Sequence, residues 1–233
     1  MKLEPFAPRS AALLACLLLL PVTVTPRAAA QSAAATPAYG PYNVHSIAGG
    51  IGVTKQLAPH DPLALSGSGW SLTLWVRPDA AGQTTLLAGV GQPLETFPRF
   101  LGLRDGKPIF WAGDEHILET STALAPDTWH SLAVFADGPD THLLVDGADV
   151  AHASLPIGPS TPELQIAPIV TPTSDFHHFS GLLAIVSLAR GLSPEERQSL
   201  AHAPANLDNL AFDDASKPWP VQTRQWIGYR SPQ

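Results

Sequence analysis

Apolar and polar residues alternate along Trp70-Ser71-Leu72-Thr73-Leu74-Trp75-Val76. A strand of period two places Trp70, Leu72, Leu74 and Val76 on one face, and Arg77-Pro78 stops it. Trp75 projects from the opposite face, so the helix or the tail described below must cover it. Further short apolar runs follow over residues 84–90, 99–103 and 107–111, the last two joined by Asp105-Gly106. An Asp-Gly between apolar runs is a strong hairpin signal. Pro108 cannot donate to a ladder, so the second arm is expected at an edge or to begin late. Residues 129–135 and 142–145 form the next pair, Asp146-Gly147 turns into residues 150–155, and residues 164–169 and 179–188 complete the strands.

One segment reads as a helix. Ser193 is a good N-cap, Pro194 suits the first helical position, and Glu196 completes a capping box. The helix is expected to run to about His202, before Ala203-Pro204. Many short strands with regular turn signals and one helix predict an all-β fold. The expected architecture is an antiparallel two-sheet β-sandwich with a short C-terminal helix.

The ends of the chain read differently. Lys2 and Arg9 precede an apolar run from Ala11 to Leu20, Pro21 ends it, and Ala28-Ala29-Ala30 offers small residues for cleavage before Gln31. This is the pattern of a secretory signal peptide over residues 1–30, and the run is too short for a spanning helix of about 20 residues. Residues 31–42 are small and Pro-containing and read as a flexible leader. Residues 43–203 form the expected domain. Residues 204–233 form a tail with Pro218-Trp219-Pro220 and Trp226, expected to dock on the sandwich or on a partner.

Composition narrows the function. Cys16 is the only cysteine and lies within the expected signal peptide, so cleavage leaves neither a disulfide nor a thiolate metal site. The net charge is −7, and it becomes −9 when Lys2, Arg9, Arg27 and Glu4 are removed. This acidity opposes nucleic acid and anionic membrane surfaces as partners. The expected localisation is secreted or periplasmic.

Four segments together resemble the laminin G-like, concanavalin A-like jelly-roll domains of exported bacterial proteins. They are Leu74-Trp75-Val76-Arg77-Pro78, Thr128-Trp129-His130-Ser131-Leu132-Ala133, Val145-Asp146-Gly147, and Phe179-Ser180-Gly181 with the run from Ala189 to Glu196. The resemblance covers roughly residues 43 to 203 and rests on order and spacing, since no single motif is specific. It implies two antiparallel sheets packed face to face and a binding role, often for glycans. Some relatives bind calcium at one rim through an Asp just before the strand corresponding to Phe100–Leu103. Here Pro98-Arg99 stands in that place, which argues against calcium, and no other cofactor is expected.

Catalytic patterns are missing. Glycosidases of this fold need paired carboxylates flanking the bond, whereas the nearest set, Asp114-Glu115 with Glu119, has the wrong spacing. Ser66-Gly67-Ser68-Gly69 is a flexible turn and not a nucleophile elbow. His177 and His178, adjacent on a strand, point to opposite faces and read with Asp175 as polar residues leading into the strand. His60-Asp61-Pro62 reads as a turn. Trp75 and Trp129 match packed family positions. Trp111, at a strand end beside acids and His116, is the candidate for stacking a sugar ring, with Asp114 and Arg104 as hydrogen-bonding neighbours. No catalytic and no metal-ligating residue is expected. The expected function is a non-catalytic binding module for a polysaccharide or glycoprotein glycan, accessory to polysaccharide degradation. The alternative is a structural or protein-interaction domain whose tail docks on a partner or on a neighbouring glycoside hydrolase.

Overall fold

The computed structural model describes residues 37–46, 52–65, 67–113, 116–170 and 175–210. Among these residues, twelve strands lie in two six-stranded sheets with antiparallel neighbours. The first sheet has the order β1 (Pro37–Ser46), β12 (Gly181–Ala189), β3 (Ser71–Pro78), β8 (His130–Asp137), β9 (Asp140–Val145), β10 (Ala148–Ser154). The second has the order β2 (Val53–Gln56), β11 (Glu163–Ile166), β4 (Thr85–Val90), β5 (Arg99–Arg104), β6 (Lys107–Trp111), β7 (Ile117–Glu119). Two short helices, α1 (Pro62–Leu65) and α2 (Pro194–Ser199), complete the described elements with a 3-10 turn at Leu207–Asn209.

The alternation of β3 forms one wall of the core. Leu72, Leu74 and Val76 meet Leu101, Leu103 and Phe110 of the second sheet in one buried cluster. Burying both inner faces in this way is what holds a sandwich together, at about 25 cal/mol per Å² of apolar surface. The Asp105-Gly106 and Asp146-Gly147 hairpins have positive φ at both central residues, 51° and 78° in the first and 48° and 76° in the second. That is the geometry of a type I′ turn, whose twist matches the flanking strands.

The helix at Ser193 forms as its sequence predicts. Ser193 Oγ accepts from the Glu196 N–H, and the Glu196 carboxylate accepts from the Ser193 N–H. The helix itself is shorter than expected and ends at Ser199. It covers the outer face of the first sheet, where Leu200 packs on Ala133, Phe135 and Leu144. Beside it, Leu207 and Leu210 cover Trp75 and Ala184. The first residues of the expected tail therefore cover Trp75, whereas Trp219 and Trp226 lie outside the described residues.

Three elements differ from the sequence reading. Residues 37–42, expected in the leader, are the first part of β1, which pairs with β12 from Pro37↔Ala189 onward. The reason is side-chain anchoring: Tyr39 and Tyr42 pack against the core, and the Tyr39 hydroxyl donates to Asp61 Oδ2 at 2.8 Å. β6 is not an edge strand, because the three-residue β7 pairs with its Ile109, Phe110 and Trp111. Pro108 lies at the end of that pairing, where it cannot donate but its carbonyl accepts from the Thr120 N–H at 3.0 Å. Finally, α1 is capped by Asp61, whose Oδ1 accepts from the Leu63 N–H at 2.8 Å. Asp61 is buried and also faces Arg190 at 3.7 Å. The turn at His60-Asp61-Pro62 thus starts a short helix.

Candidate binding face

On the outer face of the second sheet one row of paired positions runs across all six strands, interrupted as side chains only at Gly89. The pairs are Thr54↔Gln165, Gln165↔Gly89, Gly89↔Phe100, Phe100↔Trp111 and Trp111↔Ile117. Residues opposite one another in a ladder project to the same side, so Thr54, Gln165 and Trp111 share a face. Toward Trp111 the row is apolar: Phe100, Ile109, Val170 and Phe176 form a small outer cluster. The half-buried Trp111 ring packs at 5.3 Å and 48° on Phe176 and at 6.4 Å and 37° on Phe100.

Toward β2 and β11 the same face opens into a cleft of about 370 Å³. Thr54, Glu163 and Gln165 of β2 and β11 line it together with Gln92, Leu94, Ile169 and Val170. Leu94 is 85% and Ile169 56% exposed, so the walls present apolar surface to solvent. Glu163 is held by two amides: Gln56 Nε2 donates to one oxygen and Gln92 Nε2 to the other, the latter at 3.2 Å. This fixes the carboxylate while one amide proton of each glutamine and the whole Gln165 side chain remain for a ligand. The size and the mix of apolar walls with a few fixed polar groups are those of a small-ligand site.

The hairpin register separates the residues singled out in the sequence. Arg104 pairs with Lys107, whereas Trp111 pairs with Phe100. Arg104 is thus four residues along β5 from the Trp111 row, roughly 13 Å at strand rise. Its guanidinium faces Glu119 at 3.6 Å, and Lys107 faces the same carboxylate at 3.7 Å. Trp111 lies on the outer face of the second sheet, Arg104 belongs to a charged group at the other end of the hairpin, and Asp114 lies outside the described residues. Gln92, Glu163 and Gln165 were not singled out in the sequence. The signal was the alternation Glu163-Leu164-Gln165-Ile166, polar residues outward and apolar residues inward, in a strand read as starting one residue later.

At Pro98-Arg99, where the resemblance implied a calcium ligand in some relatives, the chain holds a cation of its own. Arg99 is 1% exposed. Its guanidinium donates to the carbonyls of Leu63, Ala64 (3.2 Å) and Gly158 (2.7 Å) and lies 5.5 Å from the Trp70 ring centroid. Carbonyl oxygens that would suit a calcium ion are taken by this fixed positive charge, so the residues do not fit calcium there. His177 is exposed and His178 half-buried, and the His177 N–H donates to the Thr84 carbonyl at 2.8 Å. Among the described residues no helix is long and apolar enough to cross a membrane.

Solved structures share this architecture at low identity. The CBM40 of Ruminococcus gnavus IT-sialidase, solved bound to α2,3-sialyllactose, is 13% identical, with a TM-score of 0.56 over 72% of this chain and 100% of that one. The leech intramolecular trans-sialidase complexed with 2,7-anhydro-Neu5Ac is 14% identical, with a TM-score of 0.54 over 70% of this chain and 28% of that one. The Trypanosoma rangeli sialidase is 16% identical, with a TM-score of 0.53 over 72% of this chain and 28% of that one. No curated protein matches the sequence. The family model of the concanavalin A-like lectin/glucanases superfamily, in its laminin G form, matches residues 52–196. That is more than half of the chain, and the protein belongs to this superfamily.

Proposed function

We propose that this protein is an exported, non-catalytic carbohydrate-binding module that holds a glycan on the outer face of its second sheet. The observation that carries the reading is the cleft over β2 and β11, where Gln92, Glu163 and Gln165 sit between exposed Leu94 and Ile169. A sugar presents vicinal hydroxyls on its edge and C–H groups on its face. Amide and carboxylate groups match the first and aliphatic walls match the second. Trp111, on the same row, extends the face for a longer chain.

Binding without chemistry is favoured by the carboxylate inventory. Glycoside hydrolysis uses two carboxyl groups about 5–9.5 Å apart, and among the described residues Glu163 is the one carboxylate lining the cleft. The signal-peptide pattern of residues 1–30 supports export, and membership of the superfamily supports an accessory role in polysaccharide degradation. The tail-docking alternative is weakened at residues 207–210, which pack on the domain itself.

A glycan array probed with the chain from Gln31 onward, followed by calorimetry on each hit, tests the reading. Saturable binding to a defined glycan class is expected. Absence of binding to every glycan and polysaccharide, with the domain folded, would overturn it.

A further inference from the structure

Three side chains of metal-ligating type converge on the other sheet, away from the proposed cleft. His142 of β9 and His152 of β10 are directly opposed across the strand pair. Asp149 is three residues from His152, and in a regular strand an odd spacing would send it to the opposite face. The ladder is not regular there. A register shift lies between Asp149 and Ala151, so Asp149 pairs with Leu144. Leu144 packs on Phe135 and Leu200 on the outer face, and His142 stacks on the same Phe135. The bulge therefore brings Asp149 to the side of both histidines. A bulge that re-aims a side chain is commonly a functional device.

The geometry is close to that of a coordination sphere. One donor atom from each of His142, Asp149 and His152 lies within 4.8 Å of the others. His142 Nδ1 stands 2.7 Å from Asp149 Oδ2. The His142 ring is oriented by stacking on Phe135 at 4.7 Å and 7° and on His152 at 5.3 Å and 25°. Donors about 2.1 Å from a tetrahedral ion stand about 3.4 Å apart. Rotation of the exposed Asp149 and His152 side chains closes the difference.

We propose that His142, Asp149 and His152 bind a divalent first-row transition-metal ion, zinc foremost. Two imidazoles and one carboxylate suit such ions, whereas calcium and magnesium take oxygen ligands. Three protein ligands leave a fourth position for water or an external donor. The bound ion ties the edge strand β10 to β9. The Arg197 guanidinium, 4.4 Å from the Phe135 ring centroid, is a positive charge one ring away that opposes a bound cation.

Calorimetry of Zn²⁺ into the full chain, with Co²⁺ absorption as a second readout, tests the site. One equivalent is expected to bind, with no heat from Ca²⁺ or Mg²⁺ at the same concentration. His152→Ala and Asp149→Asn should each weaken Zn²⁺ binding at least about tenfold. The metal-free unfolding temperature should stay unchanged, because both residues are exposed. His202→Ala, at an exposed histidine elsewhere, should leave binding intact. Absence of Zn²⁺ binding below millimolar concentration, or undiminished binding by His152→Ala, would overturn the proposal. Neither result depends on whether the protein binds a glycan.

Discussion

The Ile185 N–H donates to Asn43 Oδ1 at 2.9 Å, and Asn43 is fully buried. Ile185 has a φ of +52°, in the region that β-branched residues rarely enter, and it sits where the β12–β3 register shifts between Ala184 and Ser187. The shift lets Leu183, Val186 and Leu188 all face the core despite the odd spacing of the first two. A bulge frees a backbone N–H from the ladder, and Asn43 of β1 accepts it. Asn43→Ala should cost about 1 kcal/mol: the part-buried Ile185 N–H loses its acceptor, offset in part because the buried Asn43 Nδ2, which has no partner, is removed with it. Urea unfolding measures this, and a loss below about 0.5 kcal/mol would show that Asn43 does not hold the bulge.

Arg99 should be more sensitive, for a different reason. Replacing a buried ion by an apolar residue is often neutral or favourable. Here, however, the carbonyls of Leu63 and Gly158 would lose their donor, while the Ala64 carbonyl keeps the Ser160 N–H at 2.8 Å. Each orphaned group costs about 1–3 kcal/mol, so Arg99→Met is expected to lose about 3 kcal/mol. Arg99→Lys should recover only part of this, since an ammonium lacks the planar fork. Burial lowers the Arg99 pKa to about 10, partly offset by Glu95. The folded value lies below the unfolded one, so this ionisation adds stability as pH rises above about 10 and loses it as pH falls through about 10. At neutral pH Arg99 is charged in both states, and its substitution should change stability by the same amount at pH 6 and pH 8.

The cover over Trp75 gives a test of where the domain ends. A chain stopped after residue 203 removes Leu207, which is 2% exposed, and Leu210. It also removes Asp208, whose Oδ1 accepts from the Arg77 guanidinium and the Trp129 indole, each at 2.8 Å. That charge pair is partly solvent-exposed and worth at most about 1 kcal/mol. The two leucines are worth about 1.5–3 kcal/mol each when fully buried. The truncated chain should therefore unfold at lower denaturant, with red-shifted tryptophan emission in the folded state. Unchanged stability would mean that these residues are not part of the fold.

Gly89 of β4 ties the proposed binding face to the neighbouring strand β5. A Cβ there would stand 2.3 Å from Phe100 Cδ1 and 2.4 Å from the Arg99 carbonyl oxygen. Gly89→Ala must push the Phe100 ring aside or part β4 from β5, at a cost of about 1–3 kcal/mol for overpacking. Because Gly89 lies in the row between Gln165 and Phe100, the substitution should weaken glycan binding as well as stability. Calorimetry and thermal unfolding of one preparation read both, and a variant with native stability would contradict the close packing.

Much of the sandwich is legible in the sequence because local chemistry and global fold agree there. The period of β3, the capping box at Ser193 and the two Asp-Gly turns each specify one conformation by themselves. β1 was missed because its anchors, Tyr39 and Tyr42, lie among small residues and prolines, and only their partners across the chain make them strand residues. β7 is too short for any period to show. The His142, Asp149 and His152 group depends on strand register and on a bulge, neither of which leaves a local mark. The Trp111 position was legible from its strand end. Its distance from Arg104 was not, because that follows from hairpin register.

The most direct test of the binding face is a nuclear magnetic resonance titration of the isotopically labelled protein with a glycan identified on the array. Shift changes should cluster on Thr54, Gln92, Leu94, Glu163, Gln165 and Ile169, and Gln92→Ala with Gln165→Ala should weaken binding at least about tenfold, the loss of about 1.4 kcal/mol. Changes confined to the first sheet, or binding untouched by the double substitution, would contradict the assignment of this face.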